Sequence, residues 1–388
     1  MYDFDKLTDR SGTLSYKWDV KDGELPMWVA DMDFEVAPPI KRAIVERAEH
    51  GIFGYTAMPD ELFESVSSYW GRRHGYAIPV SHMIYSNGVV AAISSIVRRL
   101  TEPAENVLIQ APVYNIFYNS ILNNGRRVLS SDLLYDGAEY SVDFEDLESK
   151  LADPQTSLMI LCNPHNPVGK IWTKDELARI GELCNKHGVT VLSDEIHCDI
   201  TDPRDGYTPF ASVNEVCRRI SISTVAASKT FNIAGLQSAC LFASDSVLRH
   251  KVWRGLNNDE VGEPNAFSMT ANIAAFTECD EWVDGMLDYV FENKRIAADF
   301  INSEIPGMHA TYSRATYLLW IDISGVADDS VDFCDKLRES TGLYLSDGAE
   351  YGECGRRFVR MNLATQRARV LDGLERLKRG AECYKNHR

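Results

Sequence analysis

The middle of the chain alternates short apolar runs with amphipathic stretches. Val107–Gln110 (VLIQ), Leu158–Cys162 (LMILC), Val189–Ser193 (VTVLS), Ile220–Val225 (ISISTV) and Cys240–Ala243 (CLFA) have the length and aliphatic, β-branched character of buried strands. Between the second and third, Leu177, Ile180, Leu183 and Cys184 recur at helical spacing. With Gly188 just past the end, they predict a helix over Asp175–His187. Strands alternating with helices imply a mostly parallel sheet covered on both faces, so the chain reads as α/β.

The C-terminal third changes character. A long helical stretch from Trp282 to Glu304 stops before Ile305-Pro306-Gly307. After it, Thr316–Ile321 (TYLLWI) and Phe358–Leu363 (FVRMNL) read as strands separated by a helix. The pattern predicts a smaller α+β domain made of residues 1–45 and 281–388, beside a large domain over residues 46–280. No repeat, low-complexity tract or Gly/Ser linker separates them, so the two are expected to pack closely.

Composition narrows the partners. The 388 residues, 45% hydrophobic, suffice for more than one core. Forty basic against 57 acidic side chains leave a formal charge of −17, and no basic run interrupts it. That balance disfavours nucleic acid and anionic lipid. No apolar stretch has the length of a bilayer span, and the charged first residues lack a signal-peptide core. The nine cysteines show no CxxC spacing, as expected of reduced thiols in a cytoplasmic protein.

Several common sites are missing from the sequence: it holds no GxGxxG, Walker A, GxSxG or HExxH motif. His197-Cys198-Asp199 is a close cluster of metal-type ligands, but successive residues at a strand end point to opposite faces. No metal site is expected there. Polar residues gather instead at the strand ends. Asn163-Pro164-His165-Asn166-Pro167-Val168-Gly169 follows LMILC, Ser193-Asp194-Glu195 closes VTVLS, and Ala227-Ser228-Lys229-Thr230-Phe231-Asn232 follows ISISTV. Open α/β sheets bind ligands beyond the carboxyl ends of their strands. Taken singly, each segment has an ordinary reading as a turn, a cap or a solvated lysine.

In this order, NPHNPVG, SDEIH and SKTFNIAGL resemble the signature segments of the fold-type I pyridoxal-phosphate enzymes, the aspartate aminotransferase superfamily. Trp28–Phe34 (WVADMDF) together with SKTFNIAGLQ is similar to the bacterial cystathionine β-lyase or cysteine C–S lyase branch. The resemblance extends to Phe358–Leu363.

The resemblance implies pyridoxal 5′-phosphate as cofactor, on a large domain with a mostly parallel sheet. Lys229 matches the lysine that carries it as a Schiff base and then moves the Cα proton. Asp194 matches the carboxylate that keeps the ring nitrogen protonated. Asn166 matches the partner of the phenolic oxygen, and Tyr114 the ring that stacks on the pyridine. The backbone N–H groups of Val89 and Val90, after Gly88, would hold the phosphate with the Ser228 hydroxyl. Arg360 matches the fork for the substrate α-carboxylate, with Ala30 beside the substrate. Tyr55 matches a catalytic-site tyrosine that reaches the phosphate of a neighbouring subunit, which implies a homodimer.

Two positions depart from the superfamily pattern. His197 stands where aminotransferases have a tyrosine, and an imidazole there can also reach the phenolic oxygen. Gln237 replaces a phosphate-binding arginine, leaving the phosphate to neutral donors. The implied activity is β-cleavage of L-cystathionine and related L-cysteine S-conjugates to a thiol, pyruvate and ammonia. The alternative is a class I/II aminotransferase, which shares the first steps. No second arginine occupies a recognisable position for a side-chain carboxylate.

Overall fold

The computed structural model describes residues 2–386. Seven strands form the central sheet: β1 (Met83–Ser86), β2 (Asn106–Ile109), β3 (Arg127–Ser130), β4 (Thr156–Cys162), β5 (Thr190–Asp194), β6 (Ser221–Val225) and β7 (Ala239–Phe242). Their order is β1-β7-β6-β5-β4-β2-β3. From β3 to β6 the strands are parallel, and β7 and β1 join antiparallel at the far edge. The five expected strands are present, displaced by a residue or two. Both edge strands escaped the apolar pattern: β3 is only partly buried, and β1 runs almost directly into a helix start.

Alternation along each strand builds the layers. Val107, Ile109, Leu158, Ile160 and Leu192 pack with Ala92, Ile93 and Ile96 of helix α1 (Val89–Leu100). Leu108, Met159, Leu161 and Val191 face the opposite way, onto Leu177, Ile180 and Cys184 of helix α2 (Lys174–His187). A Thr173–Glu176 capping box starts α2, and Gly188, at φ 72°, ends it in the left-handed region. Asp194 shares the parity of Leu192, so it emerges at the carboxyl edge on the α1 side.

The smaller sheet is antiparallel, in the order β8 (His309–Ala310), β9 (Leu318–Asp322), β11 (Phe358–Asn362), β10 (Ser346–Asp347). Leu319, Ile321, Val359 and Met361 bury against Ala297 and Ile301 of the long helix Asp280–Glu304 and against Leu337 and Leu374. The alternate residues Trp320 and Phe358 pack on Val168 of the large unit instead. Arg360, opposite Trp320 in register, shares that inward parity.

The N-terminal segment ties the units together. Leu25 and Met27 enter the core of the small unit, whereas Met32, Phe34 and Ile40 pack with Tyr69, Trp70 and Trp282. Between them, Trp28–Asp33 forms a strap held through its backbone. Asn362 Nδ2 donates to Val29 O and Asp31 O, both at 2.6 Å, and Asn232 bonds both backbone groups of Met32. No helix among the described residues is long and apolar enough to cross a membrane.

Candidate active site

At the carboxyl ends of β4, β5 and β6 lies a cavity of about 510 Å3. Lys229, Asp194, Asn166 and Tyr114 line it, as do Val89, Val90, Ser228, His197 and Ala30. Lys229 comes from the single helical turn Ala227–Thr230, and its Nζ donates to Ala30 O at 2.6 Å. Burial lowers its pKa to about 8, helped by the charge of Arg360 and opposed by Asp31 and Asp194. Asp194 is raised to about 6 by burial, although Thr224 Oγ1 (2.9 Å) and Ile196 N (3.3 Å) donate to its Oδ1. A buried carboxylate in that state favours a cationic neighbour.

His197 is fully buried, and burial with the nearby positive charges holds its pKa well below 6.5, so the ring is neutral. Its Nδ1 has no partner. Burial raises the Tyr114 phenol to about 12, which keeps it protonated. Gly88 caps α1 at φ 117° with no side-chain capping bond. The first N–H groups of the helix, those of Val89 and Val90 included, are therefore free for an anion at the positive end of the dipole.

Arg360 stands beside the cavity, 5% exposed. Its Nη2 donates to Trp28 O at 2.9 Å, and its Nη1 lies 3.5 Å from Asn166 Oδ1. Its Nε is unpartnered, and no ion pair involves it among the described residues. A buried guanidinium without an anion is costly unless a ligand carboxylate completes it. Tyr55 lies elsewhere: it is fully exposed, between the helices Pro38–Glu49 and Asp60–His74, and does not line the cavity of its own chain.

Further residues reach the site. Gln237 and Ser238 line the wall near Ser228, with Asn87, whose buried Oδ1 has no partner. Tyr317 donates its hydroxyl to Ala30 O at 2.9 Å. In the sequence Tyr317 reads as strand core, and Ser238 carries no motif of its own beyond following Gln237. The sequence cluster His197-Cys198-Asp199 is split, but strand alternation does not govern it: β5 ends at Asp194, and the three lie in the turn that follows, which brings Cys198 and Asp199 together beside His74. His197 faces the cavity, whereas Asp199 lies behind it, 2.8 Å from His74 Nε2 and accepting from Thr230 Oγ1 at 2.7 Å. Cys198 comes within 4.8 Å of those groups, but both Asp199 oxygens are engaged and brace the turn bearing Lys229.

With this fold and this cavity, the chain belongs to the class I and II aminotransferase family, which it matches over residues 26–377. Among its relatives it is 41% identical to cystathionine beta-lyase PatB of Bacillus subtilis (strain 168), over 97% of this chain and 98% of that protein. It is 33% identical to Protein MalY of Escherichia coli (strain K12), over 96% and 97% of the two chains. Among solved structures, cystalysin from Treponema denticola, which contains a pyridoxal 5′-phosphate cofactor, superposes with a TM-score of 0.95 at 30% identity, covering 99% of each chain.

Proposed function

We propose that the protein is a pyridoxal 5′-phosphate-dependent C–S β-lyase. With one water consumed, it cleaves L-cystathionine and related L-cysteine S-conjugates to a thiol, pyruvate and ammonia. The observation that carries this reading is the meeting, around one cavity, of a buried amine (Lys229), a buried carboxylate without a cation (Asp194) and a guanidinium without an anion (Arg360).

The donor set suits the cofactor. Free N–H groups at Val89 and Val90, with Ser228, Gln237 and Ser238, suit a phosphate, and Asp194 suits a protonated ring nitrogen. Asn166 and His197 offer neutral partners for the phenolic oxygen, and Tyr114 offers a ring. When bound, the cofactor supplies an electron sink for substrate Cα.

The residues of the chain do the rest. Arg360 takes the α-carboxylate in its fork and fixes the orientation of Cα. Lys229, with a pKa near 8, gives up its own proton readily and takes the Cα proton at Nζ. Asp194, a buried carboxylate in the cavity wall, would hold a protonated ring nitrogen and favour its positive charge. Thiolate then leaves Cβ with the bonding electron pair, which is easy for a group whose conjugate acid has a pKa of ~8.5.

Arg360 is the arginine brought beside the cavity, and a dicarboxylate substrate of an aminotransferase would call for a second guanidinium. In this reading the domain of residues 46–280 holds the cofactor, and the one formed by 1–45 and 281–388 brings Ala30 and Arg360. The active unit is a homodimer in which Tyr55 serves the site of the partner, a role supported by the exposed apolar run around Ile52, Phe53 and Tyr55. Pyruvate and thiol release from L-cystathionine and several S-conjugates, run beside an amino-transfer assay, tests the activity. Multiple-turnover amino transfer without pyruvate from any conjugate overturns it.

A further inference from the structure

A second cavity, of about 220 Å3, shares no wall residue with the Lys229 cavity. It lies between the Leu134–Ser141 hairpin, the Val168–Thr173 segment and the inward face of the small sheet. Two ring pairs build its apolar side. Tyr135 stacks on Tyr140 (centroids 4.7 Å apart, 26°), Trp320 on Phe358 (5.1 Å, 5°), and Tyr135 meets Phe358 at 77°. Trp320 Nε1 donates to the Tyr140 hydroxyl at 3.0 Å and ties the pairs into a corner.

The charges around this box are unequal. Lys170 is paired with Glu176 at 3.2 Å and lies over Trp172, and Arg314 is paired with Asp205 at 3.4 Å. Glu139 and Asp322, also in the wall, have no ion-pair partner among the described residues, although Asp322 Oδ1 accepts from Ser324 N at 2.8 Å and its carboxylate meets the Tyr135 hydroxyl, and no Lys or Arg sits over any of the four rings. Ser313 is 7% exposed and lines the same cavity, with its Oγ bonded to nothing. Aromatic faces beside carboxylates that have no cation attract organic cations, and an unpartnered buried hydroxyl is completed by a polar group on a ligand.

We propose that this aromatic box binds a small organic ammonium ion bearing a hydroxyl or similar polar group. The rings enclose the alkylated nitrogen, Asp322 and Glu139 balance its charge, and Ser313 pairs with the polar end. Calorimetric titration of the holoenzyme with choline, and with its uncharged isostere 3,3-dimethylbutan-1-ol, tests the assignment. Choline should bind saturably and the isostere at least about tenfold more weakly, the discrimination expected of a desolvated cation–π site. Asp322→Asn and Glu139→Gln should each weaken choline about threefold or more while leaving turnover unchanged, and Tyr135→Leu should weaken it further. Absence of saturable choline binding, equal binding of the isostere, or affinity undiminished in all three variants overturns the proposal.

Discussion

Acid should loosen the N-terminal strap at one residue. Asp33 is 2% exposed, and its carboxylate accepts from Arg10 Nη1 at 2.7 Å, Lys17 Nζ at 2.9 Å and Trp18 Nε1 at 2.8 Å. Burial pushes its pKa up, but the charge of Lys17 and the bonds from Lys17, Trp18 and Arg10 outweigh it and hold the group at about 2, against 3.8. Because the folded value is the lower one, the stabilisation is complete above the unfolded pKa and is lost as pH falls through the folded one. The difference, 3.8 minus 2, corresponds to about 2.5 kcal/mol.

Asp33→Asn removes that term at neutral pH and leaves Lys17, 1% exposed, with Asp31 at 3.6 Å as its remaining carboxylate partner. Breaking a buried pair in this way costs about 3 kcal/mol or more. Urea unfolding followed by circular dichroism should show that loss near neutral pH. The gap between wild type and variant should shrink by about 1 kcal/mol near pH 3, because the unfolded wild-type chain takes up a proton at this carboxyl while the folded one is still mostly ionised. A gap that stays constant between pH 6 and pH 3, or a variant as stable as wild type, would refute the reasoning.

Lys229→Ala should abolish pyruvate release from L-cystathionine in a steady-state assay, since proton transfer alone is worth ~100- to 10,000-fold and the nucleophile is lost with it. Asp194→Ala should lower kcat far more than it weakens substrate binding, and Asp194→Asn should also be poor because it keeps a hydrogen bond without the charge. Mixing inactive Tyr55 and Lys229 variants should restore part of the activity through hybrid dimers with one intact site; no recovery despite demonstrated subunit exchange would argue against shared sites. Asn232→Gly should cost ~3 kcal/mol in urea unfolding through three lost strap bonds, and Asn232→Ala ~1 kcal/mol more, because φ at this position is 56°.

What was legible in the sequence follows from where the information is local. Strands buried on both faces are short and rich in aliphatic and β-branched residues, so β4, β5 and β6 announce themselves even where serine and threonine interrupt them, and the polar residues that end them mark the sheet edge where Asp194 and Lys229 sit. The edge strands are harder to read: β3 (RVLS) is only partly buried, and β1 (MIYS), though apolar, runs almost directly into the start of a helix. The carbonyl clamps are harder still: Asn362 and Asn232 hold a strap about 331 and 200 residues away in sequence, and no periodicity encodes a contact of that kind. The rings of the second cavity are equally dispersed. Tyr135 and Tyr140 come from a hairpin on the large unit, whereas Trp320 and Phe358 come from two strands of the small sheet, so only the packed fold brings them together.

The strap also explains how Lys229 reaches a pKa near 8 in a site with so many acids nearby. A carboxylate in direct contact would raise the amine and fix its proton, as opposite charges do. Asp31, next to Ala30 on the strap, is the obvious candidate for that role. Its carboxylate is taken up instead by Arg10 at 2.8 Å and Lys17 at 3.6 Å. What Lys229 meets is the neutral carbonyl of Ala30, already shared with the Tyr317 hydroxyl. Asp31 still favours the charged amine from a distance, but burial and Arg360 prevail. Pairing the acids of the strap with Arg10 and Lys17, and meeting Lys229 through the Ala30 carbonyl alone, leaves the amine able to move its proton within the ordinary range of pH.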